Sequence, residues 1–164
     1  MRPFWKYLVT FVAGSLLGIA IGFAMGIFIY PYIFLADVTA NEQLSGAETK
    51  SVVATGTFIH ADPSDPVHYG AGGVTVYDEA VVLGGDFEVG PGPAFHVYLL
   101  PKANVMRSSD VEGEMYVDLG RLRAFKGSQV YPIPAGVDLS KYGSVIIWCE
   151  AFGVLISPAT LTFR

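Results

Sequence analysis

From Tyr7 to Ala36 the chain carries no charged side chain. An uninterrupted apolar run of that length fits a membrane better than a soluble core, because a bilayer's hydrocarbon takes roughly 20 residues of helix. Phe4, Trp5 and Tyr7 precede the run and Tyr30 and Tyr32 close it, as the aromatic belts of a span do. Arg2 and Lys6 lie before it, and all fifteen acidic residues lie after it. Basic residues hold their flank in the cytoplasm. The expected arrangement is a single pass through the cytoplasmic (inner) membrane, N-terminus inside, with the C-terminal domain periplasmic or extracellular. Val38-Thr39-Ala40 has the small-residue spacing of a cleavage site. The apolar run, however, far exceeds the roughly 7–15 residues of a cleaved signal's core, so residues 1–36 read as an uncleaved signal anchor.

Gly14, Gly18, Gly22 and Gly26 recur at every fourth position of this run. On a helix they form one slowly drifting stripe, and small-xxx-small stripes let two helices approach closely. The expected partner is a second copy of the chain. Pro31 withholds an amide donor from Ile27, so the helix should end or kink there.

Residues 37–51 are small, polar and acidic and read as a linker or stalk. Beyond the span, eight basic residues meet fifteen acidic ones, a net charge of −7. That balance argues against nucleic acid as a partner.

From Val52 onward, short β-rich runs alternate with Gly, Pro and Asp clusters. Strands are expected near 52–59, 72–78, 80–89, 94–100, 115–122, 128–133, 144–150, 152–156 and 159–163. Asp78-Glu79 marks a tight turn, Gly90-Pro91-Gly92-Pro93 a rigid one, and Lys102 to Gly113 a polar loop. No amphipathic helix is expected after residue 40. The fold class is all-β: a β-sandwich-like exported domain over 52–164, preceded by one N-terminal transmembrane helix.

The most strand-like run, Gly143 to Leu155, holds the single cysteine, Cys149. Period two places Val145, Ile147 and Cys149 on one face and Ile146, Trp148 and Glu150 on the other. Glu150 belongs toward water, so Cys149 points inward. A lone cysteine is either a small buried hydrophobe or a thiol with a chemical task. In an oxidising compartment, where cysteines usually pair, an unpaired one stands out.

The histidines are His60, His68 and His96. Type 1 copper needs a His and a weak axial ligand beside the Cys, and neither follows Cys149. His60, Asp62, Asp65 and His68 share a loop without a standard zinc spacing. C-x-x-C-H is absent, which removes covalent haem attachment but leaves haem held by Cys149 or a histidine open. A nucleophilic Cys149 would need a histidine base, for which His96 is the strand candidate; His68, by exposure, is the better ligand candidate. Arg121, Arg123 and Lys126 form a basic cluster that reads as a solvated edge.

Several stretches, taken in order, resemble a known family. Leu119-Gly120-Arg121-Leu122 through Gly127-Ser128-Gln129-Val130-Tyr131-Pro132 is similar to its "LG-L-kG-Q-Y-P" segment. Asp138-Leu139-Ser140-Lys141-Tyr142 leads into Val145-Ile146-Ile147-Trp148-Cys149 and Phe152, like its cysteine strand. Gly56-Thr57-Phe58, His68 with Gly72 or Gly73, Asp86-Phe87 and Gly92-Pro93-Ala94-Phe95-His96-Val97-Tyr98-Leu99 match upstream. The family is the DM-thirteen domain, found beside DOMON domains in Skeletor-type proteins and alone in bacterial membrane-anchored proteins. The resemblance covers about residues 52–163. It implies a β-rich extracytoplasmic domain with a redox or electron-transfer role, and a characteristic cysteine falling on Cys149. That cysteine would act as a bare thiol or hold a group such as haem, with His68 and His96 as ligands or neighbours and a redox protein as partner. After the cysteine this chain has Glu150, where a basic residue is common, so local charge favours a thiolate less. The alternative to a redox role is a non-catalytic binding or assembly module with a buried structural cysteine.

Overall fold

The computed structural model describes residues 2–30, 33–34 and 36–164. One long helix, α1 (Arg2–Tyr30), occupies the apolar run. At 1.5 Å per residue it is about 43 Å long, more than a bilayer's hydrocarbon core. Its segment Pro3–Ile27 is long and apolar enough to cross a membrane, and none of that window is buried against the rest of the chain. A side chain grown from Gly14, Gly18, Gly22 or Gly26 would meet nothing within 4 Å, so the glycine stripe lies open. The break expected at Pro31 and the belt position Tyr32 fall outside the described residues.

From Thr39 onward the regular elements are β-strands and single turns of 3-10 helix. The strands are β1 (Thr39–Asn41), β2 (Val52–Phe58), β3 (Gly70–Tyr77), β4 (Ala80–Leu83), β5 (Glu88–Val89), β6 (Phe95–Leu100), β7 (Val117–Arg121), β8 (Lys126–Pro132), β9 (Ser144–Cys149), β10 (Val154–Thr160) and β11 (Thr162–Phe163). They join in one hydrogen-bonded sheet of order β1-β8-β4-β3-β2-β10-β9-β6-β7. The sheet rolls over, so its halves face each other like the layers of a sandwich. Val81 and Tyr131 from one end thereby share a core with Val97, Leu99, Val145 and Ile147 from the other.

Local chemistry sets the strand breaks. The expected strand 80–89 divides because Gly84, Gly85 and Asp86 form a turn there. The Gly84 amide donates to the Gly73 carbonyl, and the Asp86 carboxylate accepts from the Gly73 amide. Ser157-Pro158 looked like a strand end, yet β10 runs through it. Pro158 sits beside β2 where the two strands share only the pair Ala159–Phe58, so a missing amide interrupts little ladder.

Three elements read differently from their sequence. Within 37–51, taken as linker, β1 pairs in parallel with Lys126–Ser128 of β8. Gly127 makes that possible: its φ is +85°, and a Cβ there would overlap the Ala40 carbonyl. Arg123, expected on a solvated edge, instead clamps this junction. Its guanidinium donates to both Glu42 carboxylate oxygens, at 2.6 and 2.5 Å, and stacks on the Tyr131 ring at 4.3 Å. The loop from Lys102 to Gly113 is anchored rather than loose. Val105 and Val111 bury themselves against Tyr98, Leu100, Ile146 and Leu155, forming a second small core on the outer face. Asp110 holds the loop's shape by accepting from the amides of Met106 and Arg107 and from Lys102.

Candidate functional site

The alternation in β9 holds along its whole length. Val145, Ile147 and Cys149 enter the main core, while Ile146 and Trp148 serve the outer one. Cys149 pairs with Phe95 on β6 and with Val154 on β10, so strands flank it on both sides. Only 2% of the residue is exposed.

Cys149 borders a narrow apolar cleft of about 70 Å³, walled also by Val67, His68, Pro91, Gly92, Pro93, Phe95 and Phe152. The Pro91-Gly92-Pro93 turn forms one side. A Cβ at Gly92 would run into the Phe95 ring, so any larger residue there would have to displace it. Phe152, half exposed, comes from the turn joining β9 to β10, closed by the Gly153 amide donating to the Cys149 carbonyl at 2.9 Å.

The thiol donates to the Pro93 carbonyl at 3.2 Å, which fixes it in its protonated form. Burial pushes its ionisation above the ordinary thiol range, partly offset by the Phe152 and Ala151 amides near the sulfur. At rest it is therefore a shielded thiol, not a thiolate.

His68 is the one histidine on this cleft. The loop before β3 places it, and Asp65 organises that loop. Asp65 Oδ1 accepts from the amides of Val67 and His68, at 2.8 and 3.1 Å, while Oδ2 meets His68 Nδ1 at 2.6 Å. These bonds, the imidazole first, hold the Asp65 carboxyl at about 2. Nδ1 is turned to a carboxylate, so in the neutral ring the proton sits on Nδ1 and Nε2 is the acceptor. The imidazole also lines a neighbouring groove of about 210 Å³ with Asp62, Met106, Arg107 and Ser108.

His96 is not brought to the sulfur. It pairs with Trp148, one register step from Cys149, and so stands on the opposite face of the sheet. There its Nδ1 lies 3.1 Å from Asp118 and its Nε2 3.4 Å from Glu150. His96, Asp118 and Glu150 bring ligand-type atoms within 4.8 Å of one another, but both ring nitrogens already face carboxylates. His60 is tied to the Asp65 carbonyl at 2.7 Å and packs edge-on against Tyr69, a structural position.

The Pro93 carbonyl is the part of the site that residue types alone did not single out; Asp65 was read only as one residue of a loop weighed for zinc. The Asp-x-x-His spacing of Asp65 and His68 was a usable signal, because an aspartate can bond amides two and three residues on.

Haem does not fit this cleft as it stands. Its volume is room for one or two water molecules, well below the roughly 300–1,000 Å³ of ordinary cofactor pockets. With Cys149 as the axial ligand the sulfur would also have to be a thiolate, whereas here it is a hydrogen-bond donor.

No curated protein and no solved structure matches the chain. A family match does exist, under the description Electron transfer DM13, and spans residues 64–161. That span is more than half of the 164 residues and contains Asp65, His68, Pro93, His96 and Cys149. By this match, the chain belongs to the electron transfer DM13 family.

Proposed function

We propose that the domain is a one-thiol redox module centred on Cys149. The observation that carries this reading is the shared cleft: the buried Cys149 and an Asp65-braced His68 line the same small space. A thiol that gives up one electron becomes a strong acid and sheds its proton. Here Cys149-SH would become the thiyl radical, the proton would pass to His68 Nε2, and the electron would go to a one-electron acceptor protein. With no second cysteine in the chain, an internal disulfide is excluded.

Voltammetry of the full chain in lipid nanodiscs tests the reading. Cys149→Ser should remove the redox wave of the thiol with the fold intact, leaving only tyrosine oxidation at higher potential. His68→Ala should keep the wave but slow it about tenfold and flatten its pH dependence, as the loss of a positioned base does. An unchanged wave in Cys149→Ser ends the proposal. A parent chain with no thiol wave would favour the second reading, a non-catalytic binding or assembly module. That reading is supported by the thiol's burial and its bond to Pro93.

The membrane context belongs to the same proposal. Arg2 and Lys6 before α1 favour an N-terminus in the cytoplasm and a domain outside it. The open glycine stripe on α1 favours a homodimer in the bilayer. Gly18→Leu should then weaken association by about 1 kcal/mol or more, read as loss of crosslinked dimer in membranes. An equally crosslinked variant would argue against the stripe as the contact.

A further inference from the structure

We infer that Tyr98 is a proton-coupled redox station between Cys149 and the surface, with Glu150 taking its proton and Tyr116 passing on its electron. The inference rests on the redox reading of Cys149 and supplies what that reading lacks, a route by which an electron leaves a sulfur walled in by the sheet.

Glu150 follows Cys149 in the chain, but its side chain emerges on the opposite face of the sheet. There the Tyr98 hydroxyl donates to Glu150 Oε1 at 2.5 Å. From sulfur to phenol the path is therefore one residue of backbone, one side chain and one short hydrogen bond. Tyr98 itself is 1% exposed. Its ring is stacked on Tyr116, with centroids 4.2 Å apart and planes 10° from parallel. Tyr116 is 50% exposed, so the stack ends at solvent. Electron tunnelling decays steeply with distance, and rings in contact exchange electrons readily.

The surroundings suit proton-coupled oxidation. A phenol that loses an electron must lose its proton, and this one has a carboxylate in hydrogen-bond contact. The balance is simple. Tyr98-OH, the Glu150 carboxylate and an oxidised acceptor give the Tyr98 phenoxyl radical, Glu150-COOH and the reduced acceptor. The acceptor is a one-electron oxidant docked at Tyr116. Burial and the bond to Glu150 push phenol ionisation far above its usual range, so the proton leaves only together with the electron. Glu150 Oε2 faces His96 Nε2 at 3.4 Å, and His96 Nδ1 faces Asp118, so a proton can move onward from Glu150. Arg121 is the one basic residue in register with His96.

The docking face also has a character. Met115 is exposed beside Tyr116, and Glu112, Glu114, Asp118 and Glu150 are exposed around this part of the chain. That composition suits an acceptor of positive charge, whose approach slows as salt rises.

The test uses the full chain in nanodiscs, carrying Cys149→Ser so that sulfur chemistry cannot interfere. Flash-generated tris(bipyridine)ruthenium(III), a cationic one-electron oxidant, is the probe, and the tyrosyl absorption and paramagnetic signals are the readout. Tyr98→Phe, which keeps the ring and the stack, should lower the radical yield about tenfold. Tyr116→Phe and Glu150→Gln should each slow its formation about tenfold, and Glu150→Gln should also abolish the slowing seen in heavy water. Equal yields with and without the Tyr98 hydroxyl, or an unchanged rate in Glu150→Gln, overturn the inference. Either result leaves the thiol reading standing, because the voltammetry of Cys149 is a separate measurement.

Discussion

Gln129→Leu is expected to cost the domain about 4 kcal/mol or more, close to the whole stability of many small domains. The residue is fully buried on β8, and both its amide oxygen and its amide nitrogen are hydrogen-bonded. Oε1 accepts from the amides of Arg123 and Ala124, at 3.0 and 3.3 Å, and from the Tyr131 hydroxyl at 2.8 Å. Nε2 donates to the Ala124 carbonyl at 2.8 Å. One side chain thus pins the turn between β7 and β8, where the sheet folds back across its own core. Leucine fills the volume but strands several buried polar groups, each costing about 1–3 kcal/mol when unpaired. Tyr131→Phe removes one of these bonds and should cost only about 1 kcal/mol. The measurement is the denaturant midpoint of both variants. A leucine variant within about 1 kcal/mol of the parent would mean that water or a backbone shift satisfies the turn without Gln129.

Cys149 is expected to react with a small alkylating thiol reagent about 100-fold more slowly in the folded chain than in the unfolded one near neutral pH. Two causes multiply. The sulfur is almost wholly covered, and the raised thiol ionisation leaves little thiolate. The sign in pH follows. Below the unfolded thiol's pKa both states are protonated, and the thiol's contribution to stability is fully present. As pH rises through the folded value, the unfolded state gains by ionising first and that contribution is lost. Protection should therefore be greatest near neutral pH and shrink in alkali, and the reactivity curve of the folded chain should be displaced upward from that of free cysteine. Alkylation rates measured across pH in native and denatured chains give this directly. A native chain that reacts as fast as the denatured one would show a sulfur open to solvent and a thiol already activated.

Much of this was legible in the sequence, because the signals were local. An uncharged apolar run obliges α1 to satisfy its own backbone, so its helical state follows from composition. The period-two alternation of Val145 to Glu150 assigned both faces of β9 correctly, since a strand between two cores has no freedom to slip register. The turns at Asp78-Glu79 and Gly90–Pro93 followed from residues that set backbone geometry without help.

What only the tertiary structure decided are pairings between residues far apart in the chain. His68 and His96 both stood as candidate neighbours for Cys149. The register of β6 on β9 sent His96 to the far face, and an Asp65-centred loop brought His68 to the sulfur's cleft. Arg123 read as a solvated charge until β1 arrived with Glu42. Tyr98 and Glu150 are fifty-two residues apart and meet only because two strands pair. Composition and periodicity fix what each segment can become. Which side chains face one another is set by register and by the roll of the sheet, and these are free energies of the assembled core that no single segment contains.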